Sequence, residues 1–244
     1  MFKSYLIYTL IIMVACLQSS CSSDEALNLS IPEEGFEVVQ HIPAGEEGRA
    51  QNALYLNPRR IKEKEFNSPA LHIFIDSMYT VMRRTAGVGI AANQLGKRLQ
   101  IFIIEAQVNN PRYQVLGPVE KQIFINPKIT KVSKARMNFW HGCLSAKGEK
   151  RGNVATFKWV EYECRNAQGQ IQSGRLEGFA AVIFQHEYRH LMKGTYMDHA
   201  QQFLAKDELD QKLESGALPF FDLADDRLPL LIEGYQLDKY LDDY

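Results

Sequence analysis

The chain has 244 residues, of which 45% are hydrophobic and 23% are charged, a composition typical of one compact domain with terminal extras. Its formal net charge is -1, and its lysine and arginine residues form neither a long run nor a pattern interleaved with aromatic residues. These features exclude recruitment of nucleic acid by a global positive field, so we expect no nucleic-acid partner.

The first residues are typical of a bacterial export signal. One lysine precedes an apolar run from Tyr5 to Leu17, which is short for crossing a bilayer but suits a signal peptide. The sequences MVAC and QSSC each end in a cysteine after small residues and resemble the lipobox of bacterial lipoproteins. We predict lipidation at Cys16, with Cys21 as the alternative. The protein would then be membrane-anchored and face the periplasm or cell surface, and it would be cytoplasmic only if the signal prediction is wrong.

Composition predicts four segments. Residues 1–16 are the predicted export signal, and residues 17–49, rich in Ser, Glu, Gly and Pro, are a predicted tether. Residues 50–205 form the predicted globular domain, in which no repeat period is visible. Residues 206–244 form an acidic extension, with 11 acidic and 4 basic residues.

A first helix is predicted between Ser68 and Gly87. Ser68 can cap its start, and Pro69 suits the first helical position. Apolar residues then follow the spacing of an amphipathic helix: Leu71, Phe74, Ile75, Met78, Val81 and Met82. We interpret this face as core packing and not as a binding site.

Four β-rich runs bounded by turn residues follow, at 99–105, 121–132, 153–164 and 169–178. In the third run apolar residues alternate with charged ones, which predicts that Cys164 faces the core. A long apolar stretch then leads into a second, buried helix from about Gly178 to Lys193.

The buried helix carries the sequence QHEYRH, which places His186 and His190 four residues apart. On a helix this spacing puts both imidazoles on one face, where they can bind a single ion. Glu187 would point at water on the ion and not at the ion itself. The pattern therefore predicts a metal site.

The third protein ligand is open at this point. The metzincin pattern fails, because lysine and tyrosine stand where its glycine and third histidine would be. The gluzincin pattern would use Glu208 or Glu214 from a later helix. Cys143 is a further candidate, although a disulfide with Cys164 would be ordinary in an exported protein.

Three stretches, in the right order, resemble the motifs of the peptide deformylase family. GVGIAANQLG (87–96) is similar to G-x-G-[LI]-A-A-x-Q, HGCLS (141–145) to E-G-C-L-S, and QHEYRH (185–190) to Q-H-E-x-D-H. The resemblance covers about residues 54–205, which would then be a deformylase-like catalytic domain. It implies an α+β fold with antiparallel or mixed β-sheets around a central buried helix that carries H-E-x-x-H.

The resemblance also implies a role for individual residues. Three would hold one divalent ion, with a water in the fourth place: Cys143, His186 and His190. The ion in this family is usually ferrous iron, Fe2+, with zinc (Zn2+), nickel (Ni2+) or cobalt as substitutes. Glu187 would be general base and then general acid, while the Gln94 amide and the Leu144 N–H stabilise the oxyanion. The implied substrate-binding residues are Gly89, Ile90, His141 and Gly142.

The implied function is that of a metal-dependent hydrolase that removes the formyl group from formyl-methionyl peptides and releases formate. Its partner would be a formylated peptide or a related N-acyl substrate, and we expect a monomer. Two alternatives stay open, a non-catalytic peptide-binding lipoprotein on the same fold and a gluzincin-like metallopeptidase. Because nascent chains are deformylated at the ribosome, an exported member would act on formyl peptides or other small amides elsewhere.

Three positions that would support the metal ligands depart from the family motifs. His141 replaces a glutamate, Arg189 replaces an aspartate, and Thr156 stands where a V-x-R-P pattern has arginine. The local charge would change from about -1 to about +1, which is a large change at low dielectric. We expect Arg189 to pair with Glu149, Glu177 or the acidic extension, or to bind an anionic part of the substrate.

Overall fold

The structure is a computed structural model that describes residues 29–110, 116–148, 150–223 and 228–243. The helices in these ranges are α1 (Pro69–Arg84), α2 (Gly178–Leu191) and α3 (Lys206–Glu214). The strands in the same ranges are β1 (Gly89–Ala91), β2 (Ile101–Ala106), β3 (Val119–Val132), β4 (Arg136–His141), β5 (Arg151–Phe157), β6 (Trp159–Arg165), β7 (Ile171–Glu177), β8 (Gln202–Leu204) and β9 (Asp222–Leu223). None of the helices described is long and apolar enough to cross a bilayer.

Two antiparallel sheets position α2. Among the described residues, one sheet has the order β1-β2-β3-β6-β7 and the other has the order β8-β5-β4-β9. Helix α2 contacts strands of both sheets, and its apolar side chains belong to the main hydrophobic cluster between them. The predicted α+β fold with antiparallel sheets around a central buried helix is therefore confirmed.

Helix α1 forms on the predicted face. The Ser68 side chain accepts a hydrogen bond from the Leu71 N–H at 3.3 Å, and the six predicted apolar side chains are all buried. The helix ends at Arg84, before the predicted end at Gly87. Ala86 adopts a left-handed φ of 51°, and the Thr85 hydroxyl donates to carbonyls of the last turn.

Helix α2 likewise ends before its predicted boundary at Lys193. Lys193 has a left-handed φ of 65°, which stops the helix at Leu191. The sequence HLMKG at this point is one residue longer than H-L-x-G, the corresponding pattern of the family that the chain resembles. The extra residue is thus absorbed in the turn after the helix, and the spacing within the helix is unchanged.

The predicted strand at 153–164 is two strands in different sheets. Strand β5 ends at Phe157 and β6 begins at Trp159, and the Lys158 N–H between them donates to the Ser133 hydroxyl at 2.9 Å. The Gln185 side chain fills the break, because its Oε1 accepts from the Phe157 N–H and its Nε2 donates to the Phe157 carbonyl. The alternation of apolar with charged residues lies at 160–164, within β6, so it could not reveal the break that precedes it. Cys164 on β6 is buried, as predicted.

Replacing Gln185 by leucine should lower the free energy of unfolding by about 2–5 kcal/mol. Gln185 is fully buried, so its loss leaves the N–H and the carbonyl of Phe157 without these partners in the core. Denaturant unfolding with an unchanged m-value would measure the effect. The matched control is Gln211→Leu on the exposed face of α3, which should change stability by less than about 0.5 kcal/mol. A loss no larger than that of the control would contradict the prediction.

Part of the segment predicted as a tether packs against the domain. Phe36 is 5% exposed and belongs to the hydrophobic cluster around α1. The Val39 N–H donates to the Gln94 carbonyl at 2.8 Å, next to the predicted site. A few apolar residues are enough to attach this polar segment to the domain. The average composition of residues 17–49 does not show such single contacts. Cys16 and Cys21 lie outside the described residues.

The acidic extension also contributes to the core. Leu231 and Ile232 are fully buried in the main cluster, and the Leu231 N–H donates to the Ala155 carbonyl at 2.9 Å. Strand β9 pairs with β4 at the edge of the second sheet. Although acidic overall, this segment is therefore attached to the domain by apolar residues.

Candidate metal centre

The predicted metal ligands come together at the end of α2. His186 and His190 have ring centroids 5.2 Å apart, and Cys143 follows β4 on the adjoining loop. The Cys143 Sγ lies 3.2 Å from the His190 Nε2, and one ligand atom from each of the three residues lies within 4.8 Å of the others. A sulfur and a nitrogen bound to one tetrahedral zinc would be about 3.5 Å apart. The set therefore fits one divalent ion.

Burial governs the protonation of these ligands. It raises the pKa of the Cys143 thiol to about 12, with the charge of Glu187 as a second cause. Burial also lowers the pKa of His186 to about 4 and that of His190 well below its usual value. The imidazoles are thus neutral and ready to bind, whereas the thiol would release its proton when it binds an ion. Cys143 and Cys164 are both free, which removes the disulfide alternative.

Glu187 lies against the backbone of Gly89. It is 3% exposed, and a Cβ at Gly89 would lie only 2.7 Å from the Glu187 Cδ, so a side chain at position 89 would displace the carboxyl. Burial raises the pKa of the Glu187 carboxyl well above its usual value. Its Oε2 has no hydrogen-bond partner among the described residues, although Glu187 lines the pocket. Such a carboxyl is suited to accept and return a proton.

Gln94 is held in a fixed orientation beside Cys143. Its Oε1 accepts from the Ala91 N–H at 2.8 Å, and its Nε2 donates to the Ser145 hydroxyl at 3.1 Å. The same Nε2 lies 3.5 Å from the Cys143 Sγ. Leu144, the other predicted oxyanion donor, lines the same pocket. The predicted donors and ligands therefore share one site.

Of the predicted substrate-binding residues, Ile90 is the one whose side chain lies elsewhere. Gly89, His141 and Gly142 line the pocket, whereas Ile90 is fully buried in the cluster around α1. Successive side chains of a strand point to opposite faces, so β1 turns Ala91 towards the main core and Ile90 away from it. Only the Ile90 backbone remains available to a substrate.

His141 contacts one of the predicted metal ligands directly. It is 2% exposed, and its Nδ1 lies 3.1 Å from the Nδ1 of His186, with the two rings stacked. The Nε2 of His186 is therefore the nitrogen left for an ion. Burial lowers the pKa of His141 well below its usual value, so a neutral imidazole takes the place of the family's glutamate.

Arg189 does not pair with Glu177, one of its predicted partners. Glu177 bonds Arg175 at 2.8 Å on the surface, and Glu149 lies outside the described residues. The acidic extension contributes Glu233, whose charge acts on Arg189. Among the described residues, no ion pair joins Arg189 to Glu177 or to the acidic extension, and Glu233 acts on Arg189 only through its charge.

Arg189 instead lies in a mixed-charge cluster after α2. Its guanidinium packs on Gly194, where a Cβ would lie 2.7 Å from its Nε. Burial lowers the Arg189 pKa, and the charge of Asp198 opposes that shift. Asp198 also bonds Arg49 at 2.7 Å. A cation in the last turn of a helix interacts favourably with the helix dipole. The dipole therefore favours arginine at position 189, where the family motif has aspartate.

The remaining sequence candidates lie away from the ligands. Thr156 is fully buried inside the second sheet, where its hydroxyl donates to the Met137 carbonyl at 3.3 Å. Glu208 pairs with Lys212 at 3.0 Å on the surface of α3, and Glu214 on the same helix is exposed. Neither glutamate belongs to the Cys/His cluster, so the gluzincin alternative is not favoured.

Sequence reasoning missed the apolar half of the pocket. Its wall includes Phe139, Phe179 and Val182, beside His186 and Glu187. Two periodicities could have found these residues. Val182 and Phe179 precede His186 by four and seven residues on one helix face, and Phe139 precedes His141 by two on one face of β4.

Comparisons with known proteins point to one family. A family model described as polypeptide deformylase matches residues 44–206. A peptide deformylase of Leptospira biflexa is 33% identical over 138 residues, which is 57% of this chain and 76% of that protein. Peptide deformylase 2 of Pseudomonas putida is 36% identical over 143 residues, 59% of this chain and 79% of that protein.

Solved structures agree with the sequence relatives. The class I type b peptide deformylase from Acinetobacter baumannii, solved with Met-Ala-Ser bound, has a TM-score of 0.60 and 30% identity. The match covers 66% of this chain and 96% of that one. A plant peptide deformylase has a TM-score of 0.57 and 26% identity, over 78% of this chain and 98% of that chain.

Proposed function

The chain belongs to the peptide deformylase family and is a metal-dependent deformylase, and we propose that Cys143, His186 and His190 hold its ion while Glu187 transfers protons. One observation carries this assignment. The three ligand atoms converge within 4.8 Å, and two of the ligands, Cys143 and His186, line the pocket in which the Glu187 carboxyl lies against Gly89. A structural metal site would have no use for a buried carboxyl at that place.

The chain's own residues supply the rest of the chemistry. When bound, a divalent ion in this site polarises a carbonyl oxygen and makes hydroxide available near neutral pH. Glu187 takes the proton of the attacking water and returns it to the leaving amine. The Gln94 amide and the Leu144 N–H donate to the developing oxyanion, and each such donor contributes on the order of 100-fold. Gln94 is held in place beforehand by Ala91 and Ser145, which limits the reorganisation needed.

The identity of the ion and the substrate contacts are part of the proposal. We assign ferrous iron by family resemblance, with zinc or nickel as substitutes, and the thiolate–imidazole donor set suits all three. Gly89 and Gly142 present only backbone to the pocket, because Glu187 and Arg151 occupy the space of their missing side chains, and Ile90 likewise offers only its backbone. His141 orients His186 through its Nδ1, and Arg189 and Thr156 act at a greater distance.

Purified protein loaded with ferrous iron under anaerobic conditions should release formate from formyl-Met-Ala-Ser. A chelator should abolish the release and added metal should restore it. The reason is that Cys143, His186 and His190 would hold an ion whose role in the reaction no side chain can take over. Acetyl-Met-Ala-Ser is the matched control for the acyl group. Metal-loaded protein that releases no formate would contradict the assignment and favour the non-catalytic, peptide-binding alternative.

We also propose that the protein is an exported lipoprotein. The signal-like N-terminus and its two lipobox-like cysteines support this location. The substrate would then be free formylated peptides and not nascent chains. Mass analysis of membrane-extracted protein, with lipid found on Cys16, on Cys21 or on neither, is the test.

A further inference from the structure

Phe139 lines the apolar half of the pocket, and its ring also contacts the acidic extension. Phe139 is 5% exposed and lines the pocket together with Phe179. Its ring centroid lies 5.8 Å from that of Phe179 and 5.6 Å from that of Phe221. Phe139 is therefore held between a ring of the central helix and a ring of the extension.

Strand pairing places Phe221 at this point. Strand β9 pairs with β4 in the register Met137 to Leu223 and Asn138 to Asp222. Phe221 directly precedes β9, so the pairing brings its ring beside Phe139 on β4. A ring placed by backbone pairing has a defined position and does not simply rest on the surface.

The extension has a second attachment that does not depend on Phe221. The Ala155 N–H donates to the Pro229 carbonyl at 3.0 Å, and Leu231 and Ile232 are fully buried. Tyr235 packs on Phe157 with ring centroids 5.3 Å apart. Removing one ring should therefore leave the extension in place. Phe221 lies beyond residue 206, where the family model ends.

We propose that the acidic extension sets the size of side chain that the pocket accepts, with Phe221 as a positioning residue that holds Phe139 as the end wall. The inference rests on the proposed function, which places the first residue of the formylated peptide beside Glu187 and the pocket. With Phe139 fixed, the pocket takes an apolar side chain of methionine size and rejects an aromatic one. Loss of the Phe221 ring leaves a cavity beside Phe139, and the Phe139 ring can move into this cavity.

The test compares formyl-Met-Ala-Ser with formyl-Phe-Ala-Ser on the full chain. In Phe221→Ala, the ratio of kcat/KM for the methionine peptide over the phenylalanine peptide should fall at least about tenfold, mainly through a lower KM for the phenylalanine peptide. Phe221→Leu, which keeps part of the volume, should lie between the parent and Phe221→Ala. Phe203→Ala is the matched control, because Phe203 is also half-buried but lies on β8, at the opposite edge of the same sheet. Its ratio should equal that of the parent.

A binding measurement separates this inference from the proposed function. Calorimetry of Met-Ala-Ser and Phe-Ala-Ser needs no turnover, and Phe221→Ala should shift their ratio of dissociation constants in the same direction. A shifted binding ratio without formate release would overturn the proposed function and leave this inference standing. Formate release with parental ratios in both Phe221 variants would overturn the inference alone.

Discussion

Replacing Glu187 by glutamine is expected to lower kcat for formate release by about 100- to 10,000-fold, with the metal content unchanged. Glutamine has nearly the shape of glutamate, so it can occupy the same space against Gly89, but it cannot accept a proton from the attacking water. The loss should therefore lie in kcat and not in metal binding. Formate release and elemental analysis of the same preparation would measure both quantities.

The control for this variant is Glu177→Gln, which removes an equal charge. Glu177 precedes the same helix, and its side chain is 66% exposed on the surface. Its turnover should equal that of the parent. If Glu187→Gln kept turnover within a factor of ten of the parent, another group would have to carry the proton, and our assignment of Glu187 would be wrong.

Replacing Cys143 by alanine is expected to lower the metal affinity by more than about 100-fold. Loss of a side chain that only supports a metal ligand typically lowers it by roughly 10- to 100-fold. The change removes one of three ligands and leaves two neutral imidazoles, which cannot balance the charge of a divalent ion as a thiolate does. Formate release should fall with metal occupancy. Competition with a chromogenic chelator for zinc or cobalt would give the affinity.

Two further variants make this result specific. Cys164→Ala removes the other free cysteine of the described residues, which is buried on β6, and it should leave metal affinity unchanged. Glu208→Gln tests the gluzincin alternative and should also have no effect, since Glu208 pairs with Lys212 at the surface. Normal affinity in Cys143→Ala, with loss in Glu208→Gln, would reverse the ligand assignment.

The exchanged charges around the site have a structural account. A neutral histidine at position 141 contacts His186, and Arg189 lies among Asp198, Arg49 and Glu233. Most of the added positive charge is thus placed at the end of α2, within a group that contains both acidic and basic side chains. The motif residues alone could not show this, because Asp198 and Glu233 lie outside the motif that contains Arg189, nine and 44 positions further along the chain.

Features that depend on near neighbours in the chain could be predicted from the sequence alone. The cap and apolar face of α1 were predicted correctly, because helix periodicity and capping involve residues within four positions of each other. The same reasoning placed His186 and His190 on one face of a buried helix. Three ordered motifs then identified the family and its fold.

Features that join distant segments of the chain became visible only in the folded structure. The Cys143 sulfur reaches His190 across 47 residues, Gln185 of α2 fills the break between β5 and β6, and Phe221 of the extension backs the pocket. Each of these contacts exists because sheet pairing and core packing bring remote residues together. No local periodicity encodes such a pairing, since its free energy depends on which surfaces the whole chain buries.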